Sequence, residues 1–344
     1  MTLRRAALAI IAACAVVIGA TAARESAAGV DDAAITADGY PAALSAYGFF
    51  TNLPARTPAA RVTPYTLNTP LFSDYAEKQR YLYLPQGSRA GYQPNATLDL
   101  PVGAALIKTF GYQQNGAFHA LETRVLLRRA SGWVALPYVW NAEGTEAVLK
   151  RTGARLPVTF IDPGGTSRTI SYQVPNQNQC KDCHALSGAV TPIGPKVRNL
   201  NDGRQLQSWA AAGLLDRLPA DAPRLARWDD TGAPVADRAV AYLETNCAHC
   251  HNPAGAASNS GLFLDWRQPD ATARGLNKPP VAAGRGSGGR LVAIAPGRPD
   301  ASILLYRMES NEPGVAMPEL GRNVAHAEGV KLVRDWIAAG APQH

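Results

Sequence analysis

The sequence predicts an α+β protein in two parts, a β-sandwich-like amino-terminal half followed by a mainly α-helical carboxy-terminal half. Three observations predict it. Between residues 41 and 175, short apolar runs of strand length alternate with Gly- and Pro-containing turns. No long amphipathic helical pattern occurs in that half. Beyond the Pro-rich stretch 219–234, the apolar spacing changes to that of helices. The 344 residues are enough for two domains at roughly 100–200 residues each. A hydrophobic fraction of 46% excludes wholesale disorder, and 31 glycines with 26 prolines suit a loop-rich fold. The net charge of +7 comes from scattered Lys and Arg rather than a basic stripe, which argues against a nucleic-acid partner.

In chain order, residues 1–5 form a short basic start and 6–20 an almost unbroken apolar run. Ala20-Thr21-Ala22 matches the small-x-small cleavage pattern, so 1–22 reads as a secretory signal peptide and the protein as periplasmic. A membrane span needs about 20 apolar residues, and this run ends at Arg24 and Glu25. Ile11-Ala12-Ala13-Cys14 loosely resembles a lipidation site, which would give membrane contact through Cys14. The apolar run continues past Cys14, which argues against it. Residues 24–40 read as a leader without periodicity. In the β-rich domain, 41–175, a strand at 81–84 stops before Pro85 and Gly87. Runs 121–129 and 133–140 flank Ala130-Ser131-Gly132, and runs 158–161 and 169–172 flank Pro163-Gly164-Gly165. Both read as hairpins.

Four of the five cysteines lie beyond the signal, in Cys180-Lys181-Asp182-Cys183-His184 and Cys247-Ala248-His249-Cys250-His251. Each is C-x-x-C-H, the attachment pattern of a c-type haem. Two thiols at this spacing can add to the two vinyl groups on one edge of a porphyrin. The following histidine then lies beneath the ring, where its imidazole can bind iron. Two disulfides would not explain why histidine follows both pairs. A zinc ribbon separates its pairs by about 15–20 residues, far fewer than separate these. A thioredoxin-like motif would occur once, beside a βαβ pattern. The sequence therefore predicts two covalently attached haems (iron), held by Cys180, Cys183, Cys247 and Cys250 and ligated by His184 and His251. Residues 176–225 form the first haem segment, with a short helix at 205–215.

Residues 226–344 form the domain of the second haem. From 235 onward the order is helix (235–246), C-x-x-C-H, Gly/Pro-rich loop (252–300), short helix (302–309), Met317-Pro318 and final helix (328–339). This plan resembles class I cytochrome c over about residues 235–344. The resemblance implies that the first and last helices cross at a small residue, here Ala239 with Leu243 one turn on. Val330, Val333 and Ile337 would form the last helix's apolar face, with Trp336 beside it. It also implies Met317 as the second axial ligand opposite His251, which would fill that iron and make the haem a carrier.

Nearly the whole mature chain is similar to a bacterial family of dihaem c-type cytochromes with a β-rich amino-terminal half. The similarity rests on the segments LNTPLFSDY (67–75), LETR (121–124), PYVWN (137–141), PIGPK (192–196) and MPELGR (317–322). It implies haem content and no particular reaction. The preferred reading is electron transfer between redox partners, either periplasmic redox proteins or dehydrogenases. The alternatives are a peroxidase- or oxidase-like haem enzyme with an open site at the first haem, and a sensor with structural haem. The first haem's second ligand has several candidates: Met308, preferred, with His326, His119 and His344 behind it, and His249 excluded as part of the second haem loop. Asp74, Glu77, Glu122, Arg124 and His119 carry no catalytic assignment. Glu122 and Arg124 read as alternating along the outer face of a strand, either a solvated pair or a core-edge salt bridge.

Overall fold

The computed structural model describes residues 29–343; the segment 1–22 with Cys14, and His344, lie outside the described residues. A short helix α1 (Asp32–Thr36) starts at Asp31, whose carboxylate accepts the Ala34 amide at 3.0 Å. A small hairpin follows, β1 (Phe50–Asn52) with β2 (Thr57–Pro58). The main sheet has six antiparallel strands in chain order: β3 (Val62–Pro64), β4 (Glu77–Tyr83), β5 (Ala105–Gln114), β6 (Ala117–Arg129), β7 (Gly132–Trp140) and β8 (Ala147–Leu149). The β6–β7 turn falls on Ala130-Ser131, as predicted. A separate hairpin, β9 (Ala154–Ile161) with β10 (Ser167–Val174), turns at Pro163-Gly164-Gly165.

Period-two alternation divides the sheet's side chains. Tyr81, Tyr83, Ile107, Val125, Leu127, Leu136 and Tyr138 bury one face against Ile35, Tyr47 and Phe49. The intervening Leu82, Leu106, Leu126 and Ala135 point the other way. At Phe110/Gly111 the β5–β6 register shifts by a bulge. A Cβ on Gly111 would lie 2.2 Å from the His119 carbonyl oxygen, so only glycine fits there.

The second layer is not a sheet, and the sandwich expectation is corrected. The face of Leu82, Leu106 and Leu126 is covered by the first C-x-x-C-H segment: α2 (Gln177–His184), the hairpin β11 (Ala185–Leu186) and β12 (Ala189–Val190), α3 (Val197–Leu200) and α4 (Gln205–Ala211). Cys180, Val197, Leu200, Leu206 and Trp209 share one core with it. Regularly spaced strands reveal that a sheet exists; they do not reveal what covers its second face.

The expectation of a mainly α-helical carboxy-terminal domain is also overturned. Over the described residues, 26% strand outweighs 22% helix. Beyond residue 234 the described residues form three α-helices, α5 (Val235–Asn246), α6 (Ile303–Glu309) and α7 (Ala327–Ala338). Between α5 and α6 run loops with isolated 3-10 turns, because glycine and proline punctuate 252–300 and deny a helix its length. Helices α5 and α7 do meet. Gly329 lies tight against Tyr242, where a Cβ would be 2.4 Å from the ring. Ala239 is fully buried in the core that the two helices share. Among the described residues, no helix is long and apolar enough to cross a membrane.

Candidate functional site

Helix α2 begins in a reciprocal cap. Asn176 Oδ1 accepts the Gln179 amide at 2.8 Å, and Gln179 Oε1 accepts the Asn176 amide at 3.0 Å. The helix delivers Cys180 against the sheet and ends at His184. The β11–β12 hairpin brings Thr191 back, and its carbonyl oxygen lies 2.8 Å from His184 Nδ1. A carbonyl can only accept, so Nδ1 carries the proton and Nε2 keeps a free lone pair. Burial holds the His184 pKa down to about 4, so the ring is neutral at pH 7. Helix α5 runs into Cys247. His251 Nδ1 lies 3.3 Å from Ser260 Oγ, and burial lowers its pKa too.

The two motifs, distant in sequence, touch in space. One ligand atom each from Cys183, His249 and Cys250 lie within 4.8 Å of one another. The Ser187 amide donates to the Ala254 carbonyl at 3.1 Å, tying the chain after one motif to the chain after the other. Hydrogen bonds from the Cys250 thiol and His249 lower the Cys183 pKa, and the same contact raises that of Cys250. Burial pushes the Cys180 thiol up to about 11 and Cys247 up to about 12. All four cysteines are free. They line one cavity of about 830 Å³ together with His184, His251, Met308 and Met317.

The segment 67–75 straps the sheet to the rest of the site. Asn68 Nδ2 donates to the Asn201 and Leu225 carbonyls at 2.8 and 3.0 Å, and Thr69 exchanges hydrogen bonds with Asn199 at 2.8 and 3.0 Å. The Phe72 amide donates to Asn246 Oδ1 at 2.8 Å, one residue before Cys247. Asp74, 1% exposed, accepts the Asn323 amide at 2.5 Å, Asn323 Nδ2 at 2.7 Å and the Val324 amide at 3.0 Å. Replacing Asp74 with alanine strands these donors, and is expected to cost about 2–4 kcal/mol in chemical denaturation. A loss below about 0.5 kcal/mol would show that water replaces the carboxylate freely.

The predicted residues sort cleanly. Cys180, Cys183, His184, Cys247, Cys250, His251, Met308 and Met317 all face the cavity, Met308 buried and Met317 half-buried. His326 does not line it. That ring stacks on Phe72 at 4.2 Å, with Tyr242 Oη 3.0 Å from Nδ1. His119 lies on β6 away from the cavity lining, and His344 is outside the described residues. Glu122 is not on an outer face. It is fully buried, accepting Arg124 Nε and Nη2 at 2.9 and 2.6 Å and the Tyr172 hydroxyl at 2.7 Å. The bulge and the overlying hairpin β9–β10 put this pair inside, and a period-two pattern cannot tell two buried faces apart.

Sequence reasoning set aside His249, whose buried Nδ1 has no hydrogen-bond partner among the described residues. It missed Arg80 and Lys108, which line the cavity from β4 and β5. Charged residues inside strands gave a signal, but nothing in the sequence said which face was enclosed. Comparison with protein-family models, with curated proteins and with solved structures returned no match.

Proposed function

We propose that the chain is a dihaem c-type cytochrome that passes electrons between redox partners through two covalently attached haems. The observation that carries this reading is the convergence of both C-x-x-C-H segments, with every thiol unpaired, on one cavity. The residues present fit the group. His184 is neutral, with Nδ1 held by the Thr191 carbonyl and Nε2 available, which is the arrangement an axial histidine needs. Met317 and Met308 place thioethers on the same cavity wall, where either could serve as a second ligand. When bound, each haem would supply a one-electron iron couple.

The chain's own part is positional. Leu106, Leu126 and Ile193 give the cavity part of its apolar wall. The contact between Cys183 and Cys250 sets the two attachment points side by side, which favours exchange between haems over isolation of either. With a signal peptide at 1–22, attachment would occur after export, in the periplasm, and the partners would be periplasmic redox proteins or dehydrogenases. A metal held by Cys183, His249 and Cys250 is the competing use of the same atoms. It leaves Cys180, Cys247, His184 and His251 without a role.

Denatured-haem absorbance after acid–acetone extraction tests the proposal on the exported protein. About two haems per chain should resist extraction. Freely extracted haem, or zinc in its place, would refute the assignment.

A further inference from the structure

Cations stand opposite cations on the cavity face of the sheet. Arg80 on β4 pairs in register with Lys108 on β5, and Lys108 pairs with Arg124 on β6. Like charges directly opposite across strands are destabilising. The carboxylates nearby are already engaged: Glu122 holds Arg124 through both oxygens, and Asp74 accepts from Asn323 and Val324. Arg80 is 9% exposed, and its Nη2 has no hydrogen-bond partner among the described residues. Lys108 has no hydrogen bond or ion pair there either; its ammonium sits 4.5 Å from the Phe110 ring centroid. All three side chains line the cavity beside Cys180, Cys183 and His184.

We propose that the row Arg80–Lys108–Arg124 is a binding site for a carboxylate carried on an apolar body. A guanidinium fork next to an ammonium matches the two oxygens of a carboxylate, and the surrounding Leu106, Leu126 and Ile193 suit an apolar remainder. Burial together with the neighbouring arginines depresses the Lys108 amine well below its usual value and Lys78, on the same face, to about 7. That is the strain an anion would relieve. Two sources carry this chemistry: a propionate of a haem held in the cavity, which rests on the function proposed above, and a free organic acid, which does not.

The purified holoprotein decides through Lys108→Met, nearly isosteric and neutral, melted in sodium acetate and in sodium chloride at equal ionic strength. An empty row predicts that removing an uncompensated, half-buried cation raises the melting temperature. An occupied row predicts a fall of about 5 °C. If the occupant is a propionate, the parent melts alike in both salts and the variant lowers the midpoint potential of one haem. If the occupant is free, acetate raises the parent's melting temperature above that in chloride, and the variant loses the response. A variant at least as stable as the parent, with no acetate response in the parent, overturns the site. Arg80→Gln repeats the test should Lys108→Met fail to accumulate. Haem content measured on the same samples separates the two proposals, because an acetate response in a chain without haem would leave this site standing and the cytochrome reading refuted.

Discussion

If the chain carries the two haems proposed for it, replacing Cys247 and Cys250 together by serine is expected to cut covalently bound haem from about two to about one per chain. The reciprocal pair, Cys180 and Cys183 to serine, should leave one as well. The two half-loaded proteins should then differ in stability. Cys180 sits in the core that α2–α4 share with the sheet, whereas Cys247 packs against the core of α5, α6 and α7. The second core is the smaller support, because 252–300 contributes loops rather than helices. Without a haem face to pack on, its share of a cavity of about 830 Å³ loses its filling. The Cys247/Cys250 variant should therefore melt lower than its reciprocal. Haem absorbance per chain and thermal melts of both variants check this. Undiminished haem in either variant would show that the altered motif does not attach it.

Much of the strand plan was legible because it follows from local chemistry. Turn residues at Ala130-Ser131 and Pro163-Gly164-Gly165 fix both hairpins, and alternation assigns each side chain to a face. The cysteines and histidines of the cavity wall were equally legible, since C-x-x-C-H names them. What remained hidden depends on long-range packing. The segment 67–75 has no periodicity, and its residues act through partners far along the chain, Asn199, Asn246 and Asn323. Nothing in the sequence singles out Arg80 or Lys108; they become a row with Arg124 only through strand register, on the face that α2 and its neighbours cover. His249 was set aside because it belongs to the second motif, yet folding carries it to Cys183 of the first. The helical expectation for 226–344 failed where a plan read from three helices was extended over a loop whose glycines and prolines spoke against it.

The same dependence on long-range packing makes Glu244 a sensitive charged position. It lies in the last turn of α5, 1% exposed, shortly before Cys247. Its Oε1 accepts from both Lys196 and Arg198, and its Oε2 accepts the Trp266 amide at 3.1 Å. Arg198 is as deeply buried, its remaining contacts being the Asn95 carbonyl at 3.0 Å and the Trp266 ring centroid at 5.1 Å. Removing one partner of a buried pair leaves the other charge uncompensated, which costs about 3–5 kcal/mol. Glu244→Ala is therefore expected to lower unfolding stability by that amount and to reduce accumulation of the protein. Much of the loss belongs to the stranded guanidinium rather than to the attraction itself. The double variant Glu244→Ala/Arg198→Met should accordingly be more stable than Glu244→Ala alone, and the cycle should show a coupling of about 0.5–3 kcal/mol. Denaturant midpoints for the two singles and the double close the cycle. Strict additivity would mean that Lys196 and water satisfy each charge separately, and that the tie from 192–196 to α5 does not depend on this carboxylate.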